Sequence, residues 1–242
     1  RKEDRIISCS DGIAQSGLGT ERFPLGWGRD SIQEYAIQLI RNSPKISASK
    51  LALKLVNMAY QNDGYSSKDD TSCASLYFRN PRKLMIVTGP PYEKENDREL
   101  GRTVKSFKGK KVVCGATTAD IIARELDLEI EDSLVFDDPE LPPVSHMEGM
   151  DLVTEGILTI TKVTRILKDF SPSYTLGKGP ADRIVKLVQQ SDEIQFIIGT
   201  RVNIAHQDPN LPIDLEIRRT VVKRMARILE EKFLKEVSIR YI

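Results

Sequence analysis

Asp11 and the pair Asp69-Asp70 are the side chains in this sequence best placed to do chemistry. The run Arg5-Ile6-Ile7-Ser8-Cys9 has the character of a short strand. It stops on Ser10-Asp11-Gly12, a carboxylate followed by the residue that lets a backbone turn most tightly. Downstream, Lys68-Asp69-Asp70-Thr71-Ser72 stands just before a second apolar stretch, Cys73-Ala74-Ser75-Leu76-Tyr77-Phe78. Two strand ends that each carry an aspartate, separated by helical sequence, can converge on one hard cation such as Mg²⁺ or Mn²⁺. Asp-Gly is equally one of the commonest turn dipeptides, so it is the second acidic feature that makes the first one chemically interesting.

The elements that must position these residues follow from periodicity. Ala14 to Gly28 is rich in Gly, Ser and Thr and reads as an irregular loop. It holds the only tryptophan, Trp27, which is either an aromatic plug closing one side of a core or a substrate contact. From Arg29 the spacing of Ile32, Tyr35, Ala36, Leu39 and Ile40 predicts a helix that ends near Asn42-Ser43-Pro44. A second helix begins near Ser47, with Ser47 or Ser49 as its N-cap, and carries Leu51, Leu53, Leu55, Val56 and Ala59. Strands are expected over Cys73 to Phe78 and Leu84 to Thr88, joined as an antiparallel hairpin by Arg79-Asn80-Pro81-Arg82. Thr88-Gly89-Pro90-Pro91 then breaks the sheet, and the charged stretch from Tyr92 to about Lys111 reads as a linker.

In order and spacing, Ser10-Asp11-Gly12-Ile13, a Gly-rich loop, two helices with Ser47-Ala48 and Leu51-Ala52, and Asp69-Asp70-Thr71-Ser72 before a strand resemble the last half of a SpoIIE-type phosphatase domain. That family belongs to the metal-dependent PP2C (PPM) serine/threonine phosphatases, and the resemblance covers roughly the first 90 residues. It implies that Asp11 and Asp69 are metal ligands of a dinuclear Mn²⁺/Mg²⁺ centre, with Asp70 an outer or occasional ligand. It also implies hydrolysis of phosphoserine or phosphothreonine on a bacterial regulatory protein, by water activated between two ions, with no catalytic side chain separate from the ligands. Ser72 stands where the family usually has Thr. The bridging aspartate and the Asp-Gly pair that the family draws from earlier strands are not visible. The fragment is therefore expected to bind Mn²⁺ weakly and to act weakly.

The second half reads as strands alternating with helices, which argues for a mainly parallel sheet. Lys111 to Cys114 is a strand, Gly115-Ala116-Thr117-Thr118 a small-residue turn, and a helix continues through Ile121, Ile122 and Leu126. Asp151-Leu152-Val153-Thr154-Glu155-Gly156 precedes a helix with Ile157, Ile160, Val163, Ile166 and Leu167, and Ile194 to Arg201 is a buried strand closing on Gly199-Thr200-Arg201. Ligands of such sheets collect beyond the carboxyl ends of the strands. Gly115, Thr117, Thr118, Thr154, Glu155, Gly199, Thr200 and Arg201 would then crowd one rim, as a small-molecule or phosphate pocket or as tight turns with no ligand. Pro180 opens a helix to Gln190, His206 sits in an exposed-looking loop, Asp137-Asp138-Pro139-Glu140 reads as a stiff loop whose acids face water, and Arg218 to Lys235 is a long amphipathic helix before a last strand.

Bulk properties bound all of this. The 242 residues carry 36 Lys and Arg against 35 Asp and Glu, and a net charge of +1 gives no electrostatic case for nucleic acid or an anionic membrane. No apolar run approaches the ~20 residues that span a bilayer. Cys9, Cys73 and Cys114 lie far apart in sequence and read as free thiols in a reducing, cytoplasmic setting, with no zinc motif. The opening Arg1-Lys2-Glu3-Asp4, with no initiator methionine, suggests an interior slice of a longer protein. The whole is expected to be α/β: a partial PP2C-like α-β sandwich over 1–91, a linker over 92–110, and a small, mainly parallel α/β domain over 111–242 of unknown role, either a ligand-sensing unit or an enzyme in its own right. The other reading is a regulatory module with no catalysis of its own, whose C-terminal sheet binds a nucleotide or metabolite.

Overall fold

A computed structural model describes residues 1–171, 173–201 and 213–242, and the chain is α/β. It divides into two compact units, Arg1–Asn80 and Pro81–Ile242.

In the first unit, β1 (Arg5–Cys9) pairs antiparallel with β2 (Cys73–Tyr77), Ile6 opposite Leu76 and Cys9 opposite Cys73. Between them run a single helical turn, α1 (Asp11–Ala14), and two full helices, α2 (Arg29–Asn42) and α3 (Ala48–Asn62). Ser47 caps α3, its Oγ accepting the Lys50 amide at 3.2 Å. Both strands alternate between half-buried and exposed positions. Ile7, Cys9 and Cys73 therefore pack on a core of Ile13, Trp27, Ala36, Leu55 and Ala59, while Ile6, Leu76 and Phe78 face solvent. Trp27 is buried and tilts against Tyr35 with ring centroids 5.7 Å apart, which makes it a core plug.

The second unit is one seven-stranded sheet in the order β5-β6-β7-β4-β3-β8-β9. β3 (Lys83–Thr88), β4 (Lys110–Cys114), β7 (Leu152–Thr154), β8 (Glu193–Ile198) and β9 (Glu236–Tyr241) are mutually parallel, and a short antiparallel hairpin, β5 (Ile130–Asp132) with β6 (Ser145–Met147), extends one edge. The chain winds outward from β3 through β4 to β7, then returns to β8 and β9 on the other side. Leu84, Ile86, Val112, Phe196 and Ile198 pack with residues of α6 (Ile157–Asp169), α7 (Pro180–Gln189) and α8 (Ile213–Phe233). Met85, Val87, Val113 and Ile197 pack with residues of α4 (Asp97–Ser106) and α5 (Ala116–Leu126). No helix of the described residues is long and apolar enough to cross a membrane.

Three expectations need correction. β2 and β3 are not a hairpin: β2 pairs with β1, and β3 lies between β4 and β8. β2 alternates, as a strand with one covered face must, whereas Leu84-Met85-Ile86-Val87 is buried at every position and needs a layer on each side. The stretch over 92–110 is no linker, because α4 buries Leu100 and Val104 within it; the division falls at Asn80/Pro81 instead of after residue 91. The acids of the 137–140 loop do not all face water. Asp138 is only 6% exposed, and both its carboxylate oxygens accept from Lys162 Nζ, at 2.8 and 2.7 Å.

That ion pair gives the loop its pH response. Burial opposes the charge on Asp138, but the hydrogen bonds from Lys162 and from the Glu140 amide, with the nearby Lys162 and Arg165 charges, hold its pKa below the ordinary carboxylate value. A carboxylate depressed in this way contributes stability that is present above its unfolded pKa and is lost as pH falls through its folded one. Lys162→Met should therefore cost about 3 kcal/mol in urea unfolding at pH 7, by stranding a buried charge. The deficit should shrink near pH 3, and an equal deficit at both pH values would refute this account.

Candidate functional site

The acidic residues at the ends of β1 and β2 meet. The antiparallel register puts the exit of β1 beside the entry of β2, and Ser10 fastens the two chains. Its amide donates to Ser72 O at 3.0 Å, its Oγ donates to Asp70 O at 2.9 Å, and the same Oγ accepts the Ser72 amide at 3.0 Å. The Asp11-Gly12 turn then lies directly against Asp69-Asp70. A Cβ on Gly12 would fall 2.5 Å from Asp70 O and 3.5 Å from Asp69 Cβ, so only glycine permits this approach.

Asp11, Asp69 and Asp70 are exposed, above the buried Gly12 and Ile13. Asp11 Oδ1 accepts the Gly12 amide at 3.1 Å and Asp69 Oδ1 the Asp70 amide at 2.7 Å, which orients both carboxylates with main-chain donors. Asp63 ties down the neighbouring loop by accepting the Gly17 amide at 2.7 Å, and Lys68 Nζ reaches Leu18 O at 3.2 Å. The donor set is hard oxygen, which suits Mg²⁺ or Mn²⁺. It is also incomplete: among the described residues no three His, Cys, Asp or Glu side chains form a group able to hold a metal ion. Asp11, Asp69 and Asp70 are thus adjacent without forming a closed cage.

In the second unit, the rim residues stand at the carboxyl ends of neighbouring parallel strands, and the structure separates them into two sets. The strand order reverses between β3 and β8, where doubly wound sheets open a crevice. Here that point is filled by main chain. Gly199 donates its amide to Thr88 O at 2.9 Å, and a Cβ on it would come within 2.1 Å of Gly89 O and Pro90 O. Thr200 donates its amide and Oγ1 to Ile242 O, both at 3.0 Å. Arg201 donates to Tyr92 O at 3.1 Å and pairs with Asp97 at 3.5 Å. Gly199, Thr200 and Arg201 accordingly serve the fold.

The other set lies over β4 and β7. Gly115 donates its amide to Thr154 O at 2.8 Å, and a Cβ on Gly156 would lie 3.4 Å from Gly115 Cα, so the starts of α5 and α6 stand side by side. Neither start has a side-chain cap. Thr117 is exposed and Thr118 buried. Thr154 Oγ1 donates to Glu155 O at 2.8 Å, and Glu155 Oε2 is buried with no hydrogen-bond partner among the described residues. At the amino end of the same strands a cleft of about 390 Å³ is lined by Lys110, Asp151, Arg183 and Lys186.

Asp97 is the polar residue that sequence reasoning missed. It is 4% exposed and accepts from Arg124 at 2.7 Å as well as from Arg201, joining α4, α5 and the turn after β8. Its signal was the spacing of Asp97, Leu100, Gly101 and Val104, one helical face within a stretch that otherwise reads as charged linker. His206 lies outside the described residues.

The Ser10 clasp and the Gly12 contact make one sharp expectation. Gly12→Ala should push the Asp69-Asp70 main chain away and cost about 1–3 kcal/mol, as overpacking does. Calorimetry of the variant should show a lower Tm, and an unchanged Tm would mean that the two turns are not in contact. Searches of protein-family models, curated proteins and solved structures return no match.

Proposed function

We propose that the Arg1–Asn80 unit carries part of the metal site of a serine/threonine phosphatase of the SpoIIE type, with Asp11 and Asp69 as ligands of one Mn²⁺ or Mg²⁺ and Asp70 beside them. The observation that supports this is the meeting of the two acidic turns across the β1–β2 register, with Gly12 against Asp70. An ion held by Asp11 and Asp69 would supply charge to neutralise phosphoryl oxygens and to acidify a water. The chain's own residues supply anionic oxygens from Asp11 and Asp69, the main-chain donors that aim them, and the Ser10 clasp that sets their separation. The substrate on this reading is a phosphorylated regulatory protein. Two carboxylates are fewer than a dinuclear centre needs, so this chain binds the metal weakly and turns over slowly.

A second reading concerns the Pro81–Ile242 unit as a non-catalytic module for a nucleotide or small metabolite. The unpartnered, buried Glu155 Oε2 beside two uncapped helix starts favours it, because that oxygen lacks the donor a bound hydroxyl or amine would bring.

Titration calorimetry with Mn²⁺, alongside phosphate release from a phosphoserine peptide, tests the first reading. Asp11→Asn and Asp69→Asn should each weaken Mn²⁺ binding at least about tenfold, since even an outer-sphere partner is worth that much, and any phosphate release should fall with it. Asp30→Asn, on the exposed side of α2, should match the wild type. If all three variants bind Mn²⁺ like the wild type, the aspartates are turn residues and the phosphatase reading fails.

A further inference from the structure

Cys9 and Cys73 are direct partners in the β1–β2 ladder, one rung from the Ser10 clasp, and their sulfurs are 3.6 Å apart. The main-chain bonds fix which kind of rung this is. The Phe78 amide donates to Asp4 O at 3.0 Å and the Ser10 amide to Ser72 O at 3.0 Å. These are the hydrogen-bonded pairs, which recur at every second residue, so Cys9 and Cys73 occupy a non-hydrogen-bonded pair. In such pairs the Cα atoms stand about 4.5 Å apart and the side chains approach closely. That separation lies at the short end of the range a disulfide spans, about 4.4–6.8 Å. Both thiols are free and half-buried on the helix-facing side of the sheet.

We propose that Cys9 and Cys73 are a reversible dithiol–disulfide modification site, which on oxidation staples β1 to β2. The co-reactant is a small disulfide oxidant, with oxidised glutathione as the probe. Cys9, as thiolate, attacks one glutathione sulfur, so that a mixed disulfide forms and one glutathione thiolate leaves. Cys73 then gives up its proton and attacks Cys9 Sγ, closing the Sγ–Sγ bond and releasing the second glutathione. Two protein thiols are oxidised, one disulfide is reduced, and the two protons pass to the departing thiolates or to solvent.

Burial, with the neighbouring Cys9, pushes the Cys73 thiol up to about 12, so closure is slow at neutral pH and speeds up in alkali. Cys114 is an internal reference. It is 1% exposed and lies in β4, where burial pushes its thiol up to about 12 as well.

The test equilibrates the full chain with graded ratios of reduced and oxidised glutathione and reads intact mass, free thiols and Tm. Oxidation should remove two hydrogens and take the free thiols from three to one. Tryptic digestion should join the peptide Ile6–Arg22 to Asp69–Arg79. The oxidised form should melt several degrees higher, with full reversal by dithiothreitol. Closure should be faster at pH 9 than at pH 7. Cys73→Ser should abolish the mass change and Cys114→Ser should keep it. Three free thiols at every ratio, a single glutathione adduct on Cys9 that never resolves, or a bridge to Cys114 would each overturn the proposal. None of these readouts depends on metal binding or on phosphate release, so the switch and the phosphatase reading stand or fall separately.

Discussion

Leu84-Met85-Ile86-Val87 presents no polar side to water, and the second unit is arranged around that constraint. A strand buried on both faces needs a helical layer above and another below, and it needs a neighbour on each edge to satisfy its main chain. β4 and β8 supply the edges, and two separate apolar clusters supply the layers. The outward winding from β3 to β7, and the return to β8 and β9, meet those demands with α4 and α5 on one face and α6, α7 and α8 on the other. The same winding sets Gly115, Thr154 and Gly199 at one end of the sheet.

The first unit solves a different problem. Its two strands are too few to hold a sheet by themselves, and α2 and α3 cover only one face. What fixes the ends of those strands is polar. Ser10 engages the far chain three times, through Asp70 O and both main-chain groups of Ser72, and Gly12 lets the turns touch. Stability and candidate chemistry are therefore carried by the same few residues: the clasp that closes the sheet also sets the spacing of Asp11 and Asp69.

Much of this was legible in the sequence wherever the signal is local. Apolar spacing predicted α2 and α3 nearly to their ends, Ser47 was among the expected caps, and the parallel character of the second unit followed from its alternation of strands and helices. That the Asp11 and Asp69 turns could converge was expected from two strand ends that each carry an aspartate, whereas the β1–β2 pairing that brings the turns together was not read from the sequence. The errors were of two kinds: α4 was passed over although its helical spacing is local, and the pairing of the strands depended on distant residues. A short turn between β2 and β3 looked like a hairpin, although one strand alternates and the next does not. The three-residue strands β5 and β6 were too brief for any period to show. The rim was read as one site because parallel strands place their carboxyl ends along one edge of the sheet. Whether Thr200 and Arg201 stay free depends on Ile242 and Asp97, about forty and a hundred residues away in the chain.

The pairing of β3 with β8 also dictates an order of events at the ribosome. Arg82 and Asp192, which flank these two strands, are 110 positions apart. While the chain is being made, β3 can pair with β4 almost at once. Its other edge stays open until nearly all of the unit has emerged, and β9, which follows β8 in the chain, extends the sheet beyond it. For that interval a strand buried at five of its six positions is a half-paired template, the situation in which nascent chains aggregate or recruit chaperones. α4 and α5 are complete by Leu126 and can already shield one face of β3, leaving the other face and the open edge as the surface a chaperone would have to guard.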